Sequence, residues 1–184
     1  MKVAGKRTIC EGRFVRIVEK DVVTSDGGTR PWETVERRNI HGNGAVVIVA
    51  MTRDGNLLFE KNWRAPIESY VIQFPAGLTD LEGETEEEAA RRELLEETGY
   101  AATRLIPLLL SPLSAALTPT RAMHYFAPDV EYAGKGTGTD VEEIEVVKVP
   151  AGDADDFMLN LPPGVELDLR VPGILWYLRQ KQLI

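Results

Sequence analysis

Apolar residues along this chain fall in short runs rather than long spans. Residues 45–51 read Ala-Val-Val-Ile-Val-Ala-Met, a continuous run of strand length of the kind found in strands buried on both faces. Residues 52–56 form a turn, 57–61 the partner strand and 62–70 a loop, and 71–74 make a short strand ending at Pro75-Ala76-Gly77. Upstream, Phe14, Arg16 and Val18 alternate with Val15, Ile17 and Glu19, Ser25-Asp26-Gly27-Gly28 is a turn cluster, and residues 32–38 return as a strand. Residues 2–39 thus form a small antiparallel β piece, too small to bury much alone and in need of something to pack on. Downstream, strands are expected over 103–110, 123–127 and 144–149, a mobile loop over 134–138, and a final amphipathic helix over 171–182 carrying Trp176. Strands, a helix, more strands and a terminal helix indicate an α/β or α+β chain built on a mixed sheet.

The first helix lies in the stretch 77–100 and has readable ends. Thr85 followed by Glu88 is a capping-box pattern, and Gly99 suits the left-handed position past a terminus, so the helix spans residues 86–98. Its acids are oddly placed. Glu86, Glu87 and Glu88 lie in the first turn, where the helix dipole favours negative charge. Glu96 and Glu97 lie in the last turn, where each costs about 0.3–1 kcal/mol. Glu93 and Glu97 stand one turn apart, which costs roughly another 0.2–0.5 kcal/mol. Between Glu82 and Glu97 eight glutamates face only Arg91 and Arg92. A bound divalent cation turns such carboxylates into ligands, since hard cations take carboxylate oxygens; the alternative is a solvated acidic face.

Composition bounds the rest. The 184 residues suit one domain with at most a small appendage, and 43% hydrophobic with 27% charged residues is a globular composition. The net charge of −8 argues against a nucleic-acid partner, which needs clustered Lys and Arg. Cys10 is the sole cysteine, so neither an internal disulfide nor a thiolate metal cluster is expected, and His41 and His124 are too isolated for a zinc site. No signal-peptide pattern and no membrane-length apolar run are seen, which leads to the expectation of a cytoplasmic protein without a membrane partner.

The spacing Gly77-x6-Glu84-x7-Arg92-Glu93-Leu94-x-Glu96-Glu97-x-Gly99-Tyr100 resembles the signature of the Nudix hydrolases. This chain departs from it by one extra residue between Gly77 and Glu84 and by Tyr100 at the last position. The insertion precedes the helix and leaves the register of Glu93, Glu96 and Glu97 intact. Phe74-Pro75-Ala76-Gly77-Leu78 further resembles the ADP-ribose or ADP-sugar pyrophosphatase branch, although a glutamate that this branch carries two residues before the proline is Gln73 here.

The resemblance implies a Nudix α/β/α sandwich over residues 43–184, with residues 1–42 as a dimerisation and substrate-recognition piece exchanged between the subunits of a homodimer. It implies Mg2+, with Mn2+ possible, held by Glu93, Glu96, Glu97, the Ala76 carbonyl and Glu142. Arg92 is expected to pair with a box glutamate and orient it. Asp140 aligns with the catalytic base, one methylene shorter than the branch's usual glutamate, and Glu97, Glu142 and Glu143 are further catalytic candidates. Arg64, in a segment similar to the branch's Gln-Tyr-Arg-x-Pro loop, is a candidate phosphate clamp, with a surface salt bridge as the alternative. Arg121 is another substrate contact, and Trp32 is either a stacking platform for a base or an interface residue. Gly134, Gly136 and Gly138 would let the acidic loop close over substrate.

The implied reaction is hydrolysis of the pyrophosphate bond of a nucleoside diphosphate sugar, of ADP-ribose, ADP-sugar or GDP-mannose type, to a nucleoside monophosphate and a sugar phosphate. A nucleoside triphosphate or dinucleoside polyphosphate hydrolase, or a non-catalytic ligand-sensing module, are the rivals. The Pro-Ala-Gly-Leu segment and the β-rich N-terminus speak against the former. The full set Arg92, Glu93, Glu96 and Glu97 speaks against the latter.

Overall fold

The computed structural model describes residues 1–134 and 143–184. Three strands, β1 (Lys2–Glu11), β2 (Val15–Val23) and β3 (Thr29–Arg37), pair antiparallel in sequence order as a separate sheet. The turn between β2 and β3 uses Gly27 at a φ of 83°, and the Gly28 N–H donates to Asp26. Val18 and Thr34 are buried in this sheet, whereas Val3, Ile9, Phe14 and Trp32 are exposed. Two hydrogen bonds tie β3 to the loop over residues 113–119. The Val35 N–H donates to the Leu117 carbonyl at 2.8 Å, and the Trp32 indole N–H to the Ala116 carbonyl at 3.0 Å.

β4 (Gly44–Thr52) runs through a second, mixed sheet of nine strands among the described residues. β5 (Asn56–Arg64) and β7 (Ala76–Leu78) pair antiparallel with β4, and β6 (Ser69–Gln73) antiparallel with β5. After helix α1 (Glu86–Thr98) come β8 (Tyr100–Ala101), β9 (Ile106–Pro112) and β10 (Arg121–Tyr132). β10 lies parallel to β4 and is flanked antiparallel by β8 and β9. β11 (Ile144–Pro150) adds antiparallel to β5, α2 (Ala154–Leu159) follows, β12 (Val165–Leu167) pairs parallel with β6, and α3 (Arg170–Gln180) closes the described chain.

Alternation along β4 splits the core in two. Ala45, Val47 and Val49 enter an apolar layer closed by Val171, Ile174, Leu175 and Leu178 of α3 and Ala154 of α2. Val46, Ile48 and Ala50 enter the layer closed by Ala89, Ala90 and Leu94 of α1. The result is an α/β/α arrangement, and the double burial expected for residues 45–51 holds over 45–50, with Met51 half-buried. Complete burial of Leu94 stabilises the α1 contact by roughly 1.5–3 kcal/mol. Two alanines on the contact face keep α1 close to the sheet, which brings its polar flank against β7. Pro172 is tolerated because first-turn N–H groups of a helix lack carbonyl partners anyway.

The differences from expectation lie in elements without a strong local pattern. β1, β8, α2 and β12 carry little periodicity, and pairing partners supplied by the tertiary structure define them. β5 extends to Arg64, so Asn62, Trp63 and Arg64 stand on a strand rather than in a loop, because β6 and β11 both pair along this stretch. Among the described residues no helix is long and apolar enough to cross a membrane.

Candidate active site

α1 is held at both ends as its sequence implies. Thr85 caps it through the Glu88 N–H, Glu88 reaches back to the Thr85 N–H, and Gly99 adopts φ 75° beyond the last turn. With Ala89, Ala90 and Leu94 packed on the sheet, Glu93 and Glu97 are carried to the ends of β6 and β7. There they line a cleft of about 680 Å³ together with Ala76, Gly77 and Asp80. The same cleft is lined by Arg37 from β3, Arg64 from β5 and Arg170 from α3, the last ion-paired with Asp168, and Phe14 and Leu113 add apolar surface. Acidic and cationic side chains therefore share one cavity.

Gly77 is required by the approach of Glu93. A Cβ at residue 77 would lie 1.9 Å from the Glu93 carboxyl carbon and 2.1–2.3 Å from its oxygens. Arg92 binds Glu84 through two nitrogens, Nε to Oε1 at 2.8 Å and Nη2 to Oε2 at 3.0 Å. Its Nη1 donates to Glu93 at 2.8 Å and to Glu96 at 3.2 Å, and Nη2 to the Leu78 carbonyl at 3.2 Å. Hydrogen bonding to Glu84 and the charge of Glu93 raise the Arg92 pKa above its ordinary value. The guanidinium thus fastens the loop before α1 to the carboxylate that enters the cleft.

Glu97 is the more deeply buried of the pair. Its Oε2 accepts the Ala76 N–H at 3.0 Å, and Glu60 is a fully buried residue of β5. Burial first, then the charge of Glu60, push the Glu97 pKa far above the usual carboxylate range. Burial also raises Glu93, against the opposing pull of Arg92. Acids brought together in a weakly solvated place, at the negative end of a helix, suit a hard divalent cation. Glu93, Glu97 and Asp80 are the carboxylates that line the cleft, beside Ala76, and such a cation is commonly held by one or two carboxylates with waters filling its shell. Among the described residues no three His, Cys, Asp or Glu side chains form a ready-made ligand cluster.

The remaining sequence candidates are dispersed. Glu96 does not line the cleft; its side chain keeps 44% exposure and pairs with Arg92. Glu143 accepts from the Tyr70 hydroxyl at 3.1 Å and also stands outside the cleft lining. Arg121 lines a different hollow of about 420 Å³ with Leu110, Pro112 and Pro119. Trp32 directs its indole N–H to Ala116 and is absent from the cleft lining. Arg64 does line the cleft and donates two hydrogen bonds to Gln73 Oε1, at 3.0 and 2.7 Å. Asp140 and Glu142, like Gly136 and Gly138, lie outside the described residues.

Sequence reasoning missed Glu60, Arg37, Arg170, Asp80 and Phe14. Only Glu60 left a signal, as an acid following Leu57, Leu58 and Phe59 within the expected strand 57–61, where an unpaired buried charge would be expensive.

Comparison with known proteins shows the family. A family model described as NUDIX domain matches residues 41–165. Over 185 residues the chain is 28% identical to a Bacillus subtilis protein named ADP-ribose pyrophosphatase, covering 100% of this chain and 95% of the relative. It is 27% identical to a GDP-mannose pyrophosphatase of Cronobacter sakazakii, covering 97% and 94%. A solved structure titled "Crystal structure of ADP compounds hydrolase" superposes with a TM-score of 0.76 at 26% identity, covering 97% of this chain and 92% of the other.

Proposed function

The chain belongs to the Nudix family, and on that premise we propose that it hydrolyses the pyrophosphate bond of a nucleoside diphosphate sugar of ADP-ribose, ADP-sugar or GDP-mannose type. Water adds across the anhydride, and the products are a nucleoside monophosphate and a sugar phosphate. Relatives named for these substrates align over nearly their whole length. The observation that carries the reading is the shared cleft, lined by Glu93 and Glu97 and by Arg37, Arg64 and Arg170 together.

Enzymes of this family depend on a divalent metal ion; we assign Mg2+, with Mn2+ as a substitute. Glu93, Glu97 and the Ala76 carbonyl would hold it, with Glu96 and Glu142 retained from the resemblance as further ligands. Such an ion draws charge from phosphate oxygens and lowers the pKa of a bound water. The chain's own residues do the rest. Arg64 and Arg170 offer guanidinium groups that match phosphate geometry. Phe14 and Leu113 supply apolar contact for a base or sugar. Asp140 is the assigned base, with Glu142 or Glu143 as its neighbours in the same acidic segment.

Residues 1–42 act as a dimerisation and recognition piece beside the hydrolase domain of residues 43–184. The exposed apolar side chains of the N-terminal sheet support a homodimer with exchanged strands.

The test is a panel of nucleoside diphosphate sugars, triphosphates and dinucleoside polyphosphates, each with Mg2+, run beside Glu97→Gln. The expected result is monophosphate and sugar phosphate from the diphosphate sugars, with loss of turnover in the variant. Oxygen-18 water then locates the attacked phosphorus. Binding without cleavage of any member would show a sensor, and preference for triphosphates would show the other hydrolase class.

A further inference from the structure

Arg170 lines the cleft from the first position of α3, where the helix dipole disfavours a cation and no acid shares the first turn. The acid that offsets this charge stands just outside the helix, at Asp168. Arg170 Nε lies 3.0 Å from Oδ1 and 2.9 Å from Oδ2 of that carboxylate, and Nη2 also donates to Oδ2. The Arg170 backbone N–H donates to Oδ1 at 2.9 Å. Asp168 is itself fixed by its backbone. Its N–H donates to the Ile72 carbonyl of β6 at 3.0 Å, and its carbonyl accepts the Val171 N–H at 2.9 Å.

We propose that Asp168 is a positioning residue that holds the Arg170 guanidinium in the cleft for a substrate phosphate. This deepens the function assigned above and rests on it, since that reading supplies the phosphate. A guanidinium carries five N–H donors in a fixed planar fork. Asp168 takes the edge made by Nε and Nη2. The edge made by Nη1 and Nη2 is left, and it matches two phosphate oxygens.

Exposure and charge support the same assignment. The Asp168 side chain is 16% exposed against 42% for Arg170, so the acid forms the inner support and the cation the outer, accessible end. Burial pushes the Asp168 pKa up, but the hydrogen bonds from Arg170 and the charges of Arg170 and Arg64 bring it below the ordinary carboxylate value. Asp168 is thus an anion in the field of both cleft arginines. It offsets the repulsion between two guanidinium groups that line one cavity.

The rival role for Asp168 is to shape the turn into α3 through Oδ1 and the Arg170 N–H. Asparagine makes such turns equally well. Its amide has one accepting oxygen and a donating NH2, so it cannot take both Nε and Nη2. Asp168→Asn therefore spares the turn and breaks the fork. By charge alone, removing this anion should tighten the binding of an anionic substrate. Loss of positioning should instead weaken it by about 10-fold, the lower end of what one hydrogen bond to a charged group contributes.

The experiment compares wild type, Asp168→Asn, Arg170→Met and the double variant, with a thermal melt of each. ADP-ribose and GDP-mannose are the probes, titrated by calorimetry without metal and assayed for hydrolysis with Mg2+. Expected are weaker binding and a higher KM in both single variants, with kcat largely kept and no further weakening in the double variant. The Asp168→Asn melt should stay near that of wild type. Should Asp168→Asn not fold, Asp168→Ser, whose hydroxyl also supports the turn, takes its place.

The positioning role is overturned if Asp168→Asn binds as wild type does or more tightly. It is equally overturned if Asp168→Asn weakens binding as much in the Arg170→Met background, which would place its effect in the turn. Failure of the assigned function reads differently. A wild type that binds either compound without cleaving it overturns the activity alone, and the binding comparison still decides the role of Asp168. One that neither binds nor cleaves either compound overturns both.

Discussion

The carboxyl group of Glu93 occupies the space that a side chain on Gly77 would fill, with only 1.9 Å between its carbon and the site of an added Cβ. β7 and α1 are brought to this separation by the alanine face of the helix, and the contact leaves no slack. A methyl group at residue 77 must therefore displace the carboxylate from the cleft.

Gly77→Ala should fold, since the adjustment falls on one partly exposed side chain, yet lose activity. A displacement of about 1 Å at a reacting centre lowers turnover by about 100-fold. Steady-state kinetics beside a thermal melt would check this. Near-normal kcat/KM in a folded variant would show that Glu93 has no fixed place in the reaction.

Arg92 makes hydrogen bonds to Glu84, Glu93, Glu96 and the Leu78 carbonyl, and its side chain is 22% exposed against 12% for Glu84. Arg92→Ala strands partly buried carboxylates and should lower stability by about 3 kcal/mol in a denaturant titration. Arg92→Lys keeps the charge but not the two-pronged contact with Glu84, so it should recover only part of that loss. Full recovery by lysine would mean that charge alone matters here.

His124 is 1% exposed on β10, and its Nδ1 faces the carbonyls of Leu109 and Ala122 at 3.2 and 3.1 Å. Burial lowers its pKa below the ordinary 6.5 and outweighs these carbonyls. The unfolded chain thus binds a proton here more readily than the folded one. The associated stability is complete above about pH 6.5 and is lost as pH falls below it, with a slope of at most about 1.4 kcal/mol per pH unit. Glu97, whose pKa is raised by burial and Glu60, contributes with the opposite sign, so the comparison must be between wild type and His124→Gln. Denaturant unfolding at pH 7.5 and 5.5 should show a smaller loss on acidification in the variant. Equal losses would remove His124 from the account.

The N-terminal sheet leaves Val3 and Ile9 exposed at 56% and 49%. Burial of such side chains against a second copy is the expected solution, at about 25 cal/mol per Å² of apolar area. Light scattering should give twice the 20.4 kDa of one chain. Ile9→Glu should shift the population toward monomer. A monomeric wild type at micromolar concentration would rule the exchanged dimer out.

Some of this molecule is written locally in its chain. The span and caps of α1 were legible because capping depends on residues three or four apart, Thr85 with Glu88 and Leu95 with Gly99. β4 was legible because a strand covered on both faces must be apolar at every position, and residues 45–51 are. The acidic stretch and the glycine at 77 were legible as a pattern, although the reason for that glycine, the Glu93 carboxyl against β7, was not.

Other features exist only once distant strands meet. Glu60 sits in a run that reads as strand, and only the register of β5 with β6, together with the packing of α1, brings it to Gln73 and Glu97. Arg170 reaches the cleft from α3, more than a hundred residues beyond Arg64, because β12 pairs with β6 and delivers the start of the helix there. Glu93 and Glu97 point into the cleft while Glu96 turns toward Arg92, since the side of α1 that packs on the sheet sets which acids face the cavity. Local hydrogen bonding and periodicity act over a few residues and can be read along the chain. Which charged groups become neighbours depends on contacts between strands and helices far apart in sequence, and only the folded structure decides that.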